Sequence, residues 1–235
     1  MLHASNIDAF VDQLEHEIRA KKLSILDCEF LAAVESGAVT PSQIGEWAKA
    51  FYAATRNGRL LLGNFYANSP DDPDLRRELA ENLYEEETGR ISGVGRCHMD
   101  VFEDLLAAFG IAARDAGALA SPFGSHTPGS AISSDDFYVQ LAAYGLAVES
   151  PNAQFCARMH RALNERYEFT LSQLTWFSMH ATLDADHGEE FRKYVARAAE
   201  QEEGLERVRR ATLDLCAATK SVWDGGGSWQ ELKRS

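Results

Sequence analysis

Helical periodicity runs through almost the whole sequence and constrains its fold more than any other feature. Apolar residues recur every three or four positions in successive segments, and no alternating pattern typical of a strand extends beyond four residues. In the first segment, for example, Ile7, Val11, Leu14 and Ile18 fall on one stripe. The sequence therefore predicts an all-α protein of about seven or eight helices.

Local signals predict where several helices begin and end. Thr40 followed by Pro41 is a cap and a first helical position, and it predicts a long core helix from 41 to about 67. A further helix is expected from about Pro73 to residue 87, ended by Thr88 and Gly89. Pro151 cannot donate a helical hydrogen bond, so the helix that contains it should kink or restart just past residue 149.

The length and composition favour one domain that spans residues 1–235. Residues 115–134 are rich in alanine, glycine, serine and proline, and are too many for a simple connection, so we interpret them as a lid or mobile loop. The DGGGS stretch predicts a frayed tail from about residue 224.

Charge and hydropathy exclude several classes of function. The net charge of −13, without a basic run, disfavours nucleic acid and anionic membranes as partners. No stretch approaches the length of a membrane span and the amino terminus lacks a signal-peptide pattern, which predicts a cytoplasmic protein. The four cysteines are scattered without a CxxC pair and are expected to be free thiols: Cys28, Cys97, Cys156 and Cys216.

The stretch HATLDADHGEEF, residues 180–191, carries a candidate set of metal ligands. On one continuous helix, His180, Asp184 and His187 fall within about 60° of one another, whereas Asp186 points roughly the opposite way. Two imidazoles and a carboxylate that converge on a core carry a desolvation cost unless a cation neutralises and coordinates them. The pattern predicts part of a metal site and suits iron, manganese or zinc.

Further carboxylates occur in LRRELAENLYEEETG. Leu79 and Leu83 define the buried stripe of this segment, and Glu86 is the glutamate that continues it. Glu85 and Glu87 stay open as alternatives, because helix ends are uncertain by a residue or two.

Two more candidate ligands lie on apolar faces of their predicted helices. His98 precedes Phe102 by one turn and can point inward. Glu149 sits on an otherwise apolar stripe, and local unwinding before Pro151 would free it to reach a metal. Three carboxylates and three imidazoles suffice for two divalent ions with open positions, and the set is Glu86, His98, Glu149, His180, Asp184 and His187.

The motifs NLYEEE, His98 ahead of LLAAFG, LAVESP, and WFSMH with its H-x3-D-x2-H spacing resemble those of the haem-oxygenase-like di-iron oxidases and oxygenases. This family shares its helical fold with thiaminase-type and pyrroloquinoline-quinone-synthase-type proteins. The resemblance implies a haem-oxygenase-like bundle that binds two Fe(II) ions through these six residues, with Glu149 as the bridging carboxylate. It also implies dioxygen as co-substrate and, for some members, an external reductant. Manganese or a mixed pair stays open.

The resemblance implies oxidation of a small metabolite such as an amino acid or a fatty acid. The outcomes known in the family are oxidative cleavage, decarboxylation, N-oxygenation and desaturation. Two alternatives stay open: a metal-independent oxidase or hydrolase of the same fold, with Cys97 or Cys156 as a nucleophile, and a non-catalytic interaction protein. Helical proteins of this shape often pair, so a homodimer is also open.

Overall fold

The computed structural model describes residues 4–56, 58–117, 136–183, 187–225 and 228–231, with only the backbone described next to some of the gaps. The described residues contain no strand, and the all-α prediction is confirmed. The helices are α1 Ala4–Ala20, α2 Glu29–Ser36, α3 Pro41–Thr55, α4 Gly58–Asn68, α5 Pro73–Thr88, α6 His98–Ala108, α7 Ala113–Gly117, α8 Phe137–Tyr144, α9 Ser150–Tyr167, α10 Thr175–Leu183, α11 His187–Ala198, α12 Gly204–Trp223 and α13 Ser228–Glu231. A 3-10 turn, Ile25–Asp27, precedes α2, and a π-helix, Gly145–Glu149, joins α8 to α9.

The helix starts that the sequence predicts most clearly are confirmed. Thr40 Oγ1 accepts the Gln43 N–H at 3.3 Å while Gln43 Oε1 accepts the Thr40 N–H at 2.8 Å, which is a complete capping box. Asp72 caps α5 by accepting the N–H groups of Asp74 and Leu75. Each cap satisfies backbone donors that have no partner inside the helix.

The number of helices is higher than predicted, with thirteen α-helices in the described ranges. The expected long helix from 41 to about 67 is divided, because α3 ends at Thr55 and α4 begins at Gly58. The Asn57-Gly58 pair is a turn signal, but the hydrophobic stripe that continues on both sides of it predicts one helix. Several of the additional helices are short pieces between the long ones.

The core consists of two clusters of buried side chains. The first is aromatic and is built mainly from α2, α3, α6, α9 and α10; in it the rings of Phe30 and Trp47 stack with centroids 4.6 Å apart. The second joins α1, α5, α8, α11 and α12. Val148, in the π-helix, packs against both clusters. The boundary between the clusters therefore passes beside Glu149.

The tail differs from its prediction where it is described. The expected fraying from about residue 224 is replaced by packing, because Trp229 is 3 % exposed and its indole N–H donates to the Asp224 carbonyl at 3.0 Å. Asp224 also accepts the Phe30 N–H at 3.0 Å, and so ties this end to α2. Of the predicted lid at 115–134, residues 115–117 end α7 and the rest lie outside the described residues.

No helix in the described part of the chain combines the length and apolarity that a bilayer crossing requires.

Candidate metal centre

The loop between α5 and α6 folds back on the end of α5. Gly89 ends α5 in the left-handed conformation, with φ 58°, and its carbonyl accepts the Gly95 N–H at 2.7 Å. A Cβ at residue 89 would collide with the main chain of Arg96, so glycine is required for this close approach. The loop therefore brings His98, the first residue of α6, beside the last turns of α5.

The same loop holds the Glu85 carboxylate. Glu85 is 7 % exposed, and its side chain accepts the N–H groups of Ile91 at 2.6 Å and Ser92 at 3.1 Å. Burial alone would raise the pKa of Glu85, but hydrogen bonds from Ser92, His98 and Ile91 outweigh burial and lower it. Glu85 is therefore an ionised group that can only accept hydrogen bonds.

His98 lies between two carboxylates. Its Nε2 is 3.1 Å from Glu85 Oε1, and because Glu85 can only accept, Nε2 carries the proton of this bond. Its Nδ1 lies 3.0 Å from Glu86 Oε1, yet this buried nitrogen makes no hydrogen bond of acceptable direction with the described residues. A ring with one nitrogen held by a carboxylate and the other directed at a second acidic group has the arrangement of a metal-ligating histidine.

Glu86 and Glu87 have different surroundings. Burial alone would raise the pKa of Glu86, but its contact with His98 and the charges of His98 and His180 lower it. Glu87 is exposed and forms an ion pair with Arg59 at 2.8 Å. Of the three adjacent glutamates, Glu86 thus offers the oxygen beside the unbonded nitrogen of His98, and Glu87 is directed elsewhere.

His180, on α10, approaches the same place from the aromatic cluster. Its Nδ1 lies 2.8 Å from the Trp176 carbonyl, which can only accept, so Nδ1 is the donor and Nε2 keeps its lone pair. The His180 ring lies 4.1 Å from the ring of Trp176 and 5.0 Å from that of His98, measured between centroids. Burial lowers the pKa of His180 despite the opposing charges of Glu86 and Glu149. His180 is therefore a neutral imidazole with a free ligand atom.

Glu86, His98 and His180 form a set whose ligand atoms all lie within 4.8 Å of one another. Ligand atoms this close, with two of them buried imidazole nitrogens, can contact one ion. Imidazole combined with carboxylate suits iron, manganese or zinc. Burial alone would lower the pKa of His98, but the Glu86 and Glu85 carboxylates outweigh burial and raise it, so a cation at this position would compete with a proton.

Glu149 ends the π-helix Gly145–Glu149. The Ser150 N–H donates to the Gly145 carbonyl five residues earlier, and Pro151 follows directly. The kink expected beside Pro151 thus takes the form of a widened turn, a feature that is frequent at functional sites. The charge of Glu149 acts on His180, so this carboxylate is electrostatically coupled to the three-residue set.

The close approach of α11 to the π-helix depends on Gly145. A Cβ at residue 145 would overlap the ring of Phe191, which lies one turn after His187 on α11. The absence of a side chain at residue 145 therefore lets α11, which begins at His187, pack directly on the turn that carries Glu149.

The structure brings together three of the six predicted ligands, Glu86, His98 and His180, and couples Glu149 to them. Asp184 and the side chain of His187 lie outside the described residues, so their roles stay predictions. The sequence did not indicate that two neighbouring glutamates act together, with Glu85 as the hydrogen-bond partner of His98. The glycine-spaced loop that follows Glu85 is the signal that could have suggested it.

Comparison with known proteins agrees with this arrangement. The model of the family described as iron-containing redox enzymes matches residues 45–220, a range that includes all six predicted ligands. A domain of unknown function with a haem oxygenase-like fold from Shewanella denitrificans OS217 superposes with a TM-score of 0.67 at 15% identity, over 99% of this chain and 94% of that one. A TenA homologue from Pseudomonas syringae pv. tomato str. DC3000 superposes with a TM-score of 0.73 at 15% identity, over 97% of this chain and 96% of that one. No curated protein matches the sequence significantly.

Proposed function

This chain belongs to the family of iron-containing redox enzymes, and we propose that it is a non-haem di-iron oxidase or oxygenase that uses dioxygen to oxidise a small metabolite. The substrate class that we propose is an amino acid or a fatty acid. The reaction is an oxidative cleavage, a decarboxylation, an N-oxygenation or a desaturation.

One observation carries the proposal: the hydrogen bonds around His98 and His180 leave one nitrogen of each ring available beside the Glu86 carboxylate. The Nε2 of His98 is bound to Glu85 and the Nδ1 of His180 to the Trp176 carbonyl. Ligand histidines in proteins are characteristically fixed in this way through their second nitrogen. Two rings so oriented on separate helices support a resident metal more strongly than a chance cluster of polar groups.

The residues around the site have different proposed roles. Glu86, His98 and His180 would hold one ion, and Glu149, Asp184 and His187 would hold a second. Iron bound there would supply the electrons that activate dioxygen. Glu85 keeps the His98 ring in place, and the buried aromatic residues Trp176 and Phe102 exclude water from that side.

A cavity of about 120 Å³ supports a small substrate. Six of its eight lining residues lie on α5 or α11, which also carry candidate ligands: Asn82 is one turn before Glu86, and Phe191 is one turn after His187. Its floor is apolar, including Leu141 and Phe191, and its rim is polar. Such a cavity suits a molecule with a polar group and a short apolar body.

The proposal is tested by anaerobic titration with ferrous iron, followed by rapid mixing with dioxygen in the presence of a panel of amino and fatty acids. We expect two iron equivalents per chain and dioxygen uptake that one substrate class accelerates, with the product identified by mass spectrometry. Fewer than two equivalents, or uptake that no substrate changes, would contradict a di-iron oxygenase.

The same experiment separates the two alternatives. Activity that survives a strong chelator would favour the metal-independent enzyme. Of its two candidate nucleophiles, Cys97 Sγ accepts a hydrogen bond from Arg59 at 3.5 Å, whereas Cys156 is fully buried. A thermal stability that ferrous iron leaves unchanged, together with no dioxygen uptake, would favour an interaction protein.

Replacing Glu85 by glutamine is expected to weaken ferrous iron binding by about 10- to 100-fold, the usual effect of losing a partner that orients a ligand histidine. The amide cannot accept from Ile91, Ser92 and His98 together as the carboxylate does, so the His98 ring loses its fixed orientation. The affinity is measured by anaerobic isothermal titration calorimetry. The matched control is Glu87→Gln, which removes an exposed ion pair with Arg59 and should leave affinity unchanged. Equal affinities for both variants would show that Glu85 has no orienting role.

A further inference from the structure

Aromatic rings connect the candidate ligand His180 to a tyrosine near the protein surface. The ring of Trp176 lies 4.1 Å from that of His180. Phe102 lies 5.3 Å from Trp176 and 6.2 Å from Tyr52, again between ring centroids. The hydroxyl of Tyr52 donates to Glu103 Oε1 at 2.9 Å. Neighbouring rings in this series are therefore in contact, with centroids between 4.1 and 6.2 Å apart.

Trp176 and Tyr52 are the oxidisable residues of the series, and they differ in whether an acceptor can take the proton that oxidation releases. The indole Nε1 of Trp176 is buried and has no hydrogen-bond acceptor among the described residues. An oxidised Trp176 would thus remain a cation in an apolar core, which is unfavourable. Tyr52 instead faces a carboxylate, so the proton that an oxidised phenol releases has an acceptor in contact.

We infer that Trp176, Tyr52 and Glu103 form a path that moves oxidising equivalents from the metal centre to the surface when no substrate is bound. The inference rests on the proposed function, because the oxidant is the iron centre after its reaction with dioxygen. One electron leaves Tyr52, passes Phe102 and Trp176, and reduces the iron centre by one unit. The O–H bond of Tyr52 breaks, the proton moves to Glu103, and Tyr52 becomes a neutral radical.

The resting state of Tyr52 fits this role. Burial and the neighbouring Glu103 carboxylate raise the pKa of Tyr52 to about 12, so the phenol keeps its proton until it is oxidised. Glu103 is only partly buried and can pass the proton to solvent. An external reductant that supplies one electron, together with a proton returned through Glu103, would then restore Tyr52.

A second aromatic branch from Trp176 lacks such an end point. It runs through Phe51, 5.5 Å from Trp176, to Trp47 and Trp223. The indole N–H of Trp47 donates to a main-chain carbonyl, and that of Trp223 has no acceptor among the described residues. In the described residues neither indole N–H donates to a carboxylate, so the path through Phe102 is the one that stabilises the oxidised product.

The test uses the full chain loaded anaerobically with two equivalents of ferrous iron, mixed with dioxygen without substrate and frozen for electron paramagnetic resonance. Wild type is expected to give a tyrosyl radical signal, and Tyr52→Phe should reduce it at least tenfold. Glu103→Gln keeps a hydrogen-bond acceptor but removes the base, so it should also lose the tyrosyl signal. The control is Tyr167→Phe, since the Tyr167 hydroxyl donates to the Val34 carbonyl rather than to a carboxylate.

A second measurement follows the oxidative damage to Trp176 that the path is expected to prevent. After repeated exposure of the iron-loaded protein to dioxygen, peptide mass spectrometry should find more oxidised Trp176 in Tyr52→Phe than in wild type or Tyr167→Phe. Iron per chain is measured for every variant. If wild type loads iron and consumes dioxygen without an aromatic radical, or if Tyr52→Phe keeps the full signal, the path is refuted while the proposed function stands. If wild type binds no iron, both fall.

Discussion

Replacing His98 by alanine is expected to lower the affinity for ferrous iron by more than about 100-fold, since losing only an outer partner of a ligand histidine already costs about 10- to 100-fold. The change removes the nitrogen that lies 3.0 Å from Glu86 Oε1. It also removes the ring that lies between the Glu85 and Glu86 carboxylates, so the repulsion from Glu85 should raise the pKa of Glu86. Iron retained after anaerobic loading and desalting measures the effect.

The matched control for this variant is His160→Ala. His160 is a partly buried histidine on α9, outside the set of predicted ligands. The control should bind iron like the wild type, and circular dichroism should show that both variants keep their helices. If His98→Ala retained both iron equivalents, the assignment of His98 as a ligand would be wrong.

Replacing Gly145 by alanine is expected to destabilise the protein by about 1–3 kcal/mol, the usual cost of forcing an extra group into a packed core. Alanine is normally a better helix former than glycine by about 1 kcal/mol. A loss of stability in this variant, rather than a gain, would therefore identify the clash. The new methyl group would overlap the ring of Phe191, and α11 would have to move away from the π-helix. Because α11 begins at His187, iron binding should weaken as well.

Thermal unfolding measures this effect, with a fall in Tm of about 2–4 °C for each kcal/mol in a chain of this size. Gly63→Ala is the matched control, since Gly63 lies inside α4 with no atom within 4 Å of an added Cβ. That control should be stabilised by up to about 1 kcal/mol. Equal stability of the two variants would mean that the contact between Gly145 and Phe191 does not constrain α11.

The fold class and the main helix starts followed from the sequence because the responsible interactions are local. Thr40, Pro41 and Gln43 make their capping box within four residues, and Asp72 caps α5 within three. The apolar stripe of α1 is equally local, and Ile7, Val11, Leu14 and Ile18 are all buried as expected. The break between α3 and α4 was missed because hydrophobic periodicity continues across Asn57 and Gly58.

The sequence by itself determined which types of residue in this protein have the chemistry to bind a metal, because side-chain chemistry is fixed residue by residue; it predicted one continuous helix for His180 and His187, which the structure places on α10 and α11. Only the tertiary structure decided how Glu85 and Glu86 divide their roles, since adjacent positions on a helix differ by about 100° and both can face α6. The choice depends on the loop that returns His98 to the end of α5 and on the approach of His180, which the Trp176 carbonyl orients within α10. His98 and His180 are distant in sequence, and only the packing of α10 against α6 brings their rings to within 5.0 Å of each other.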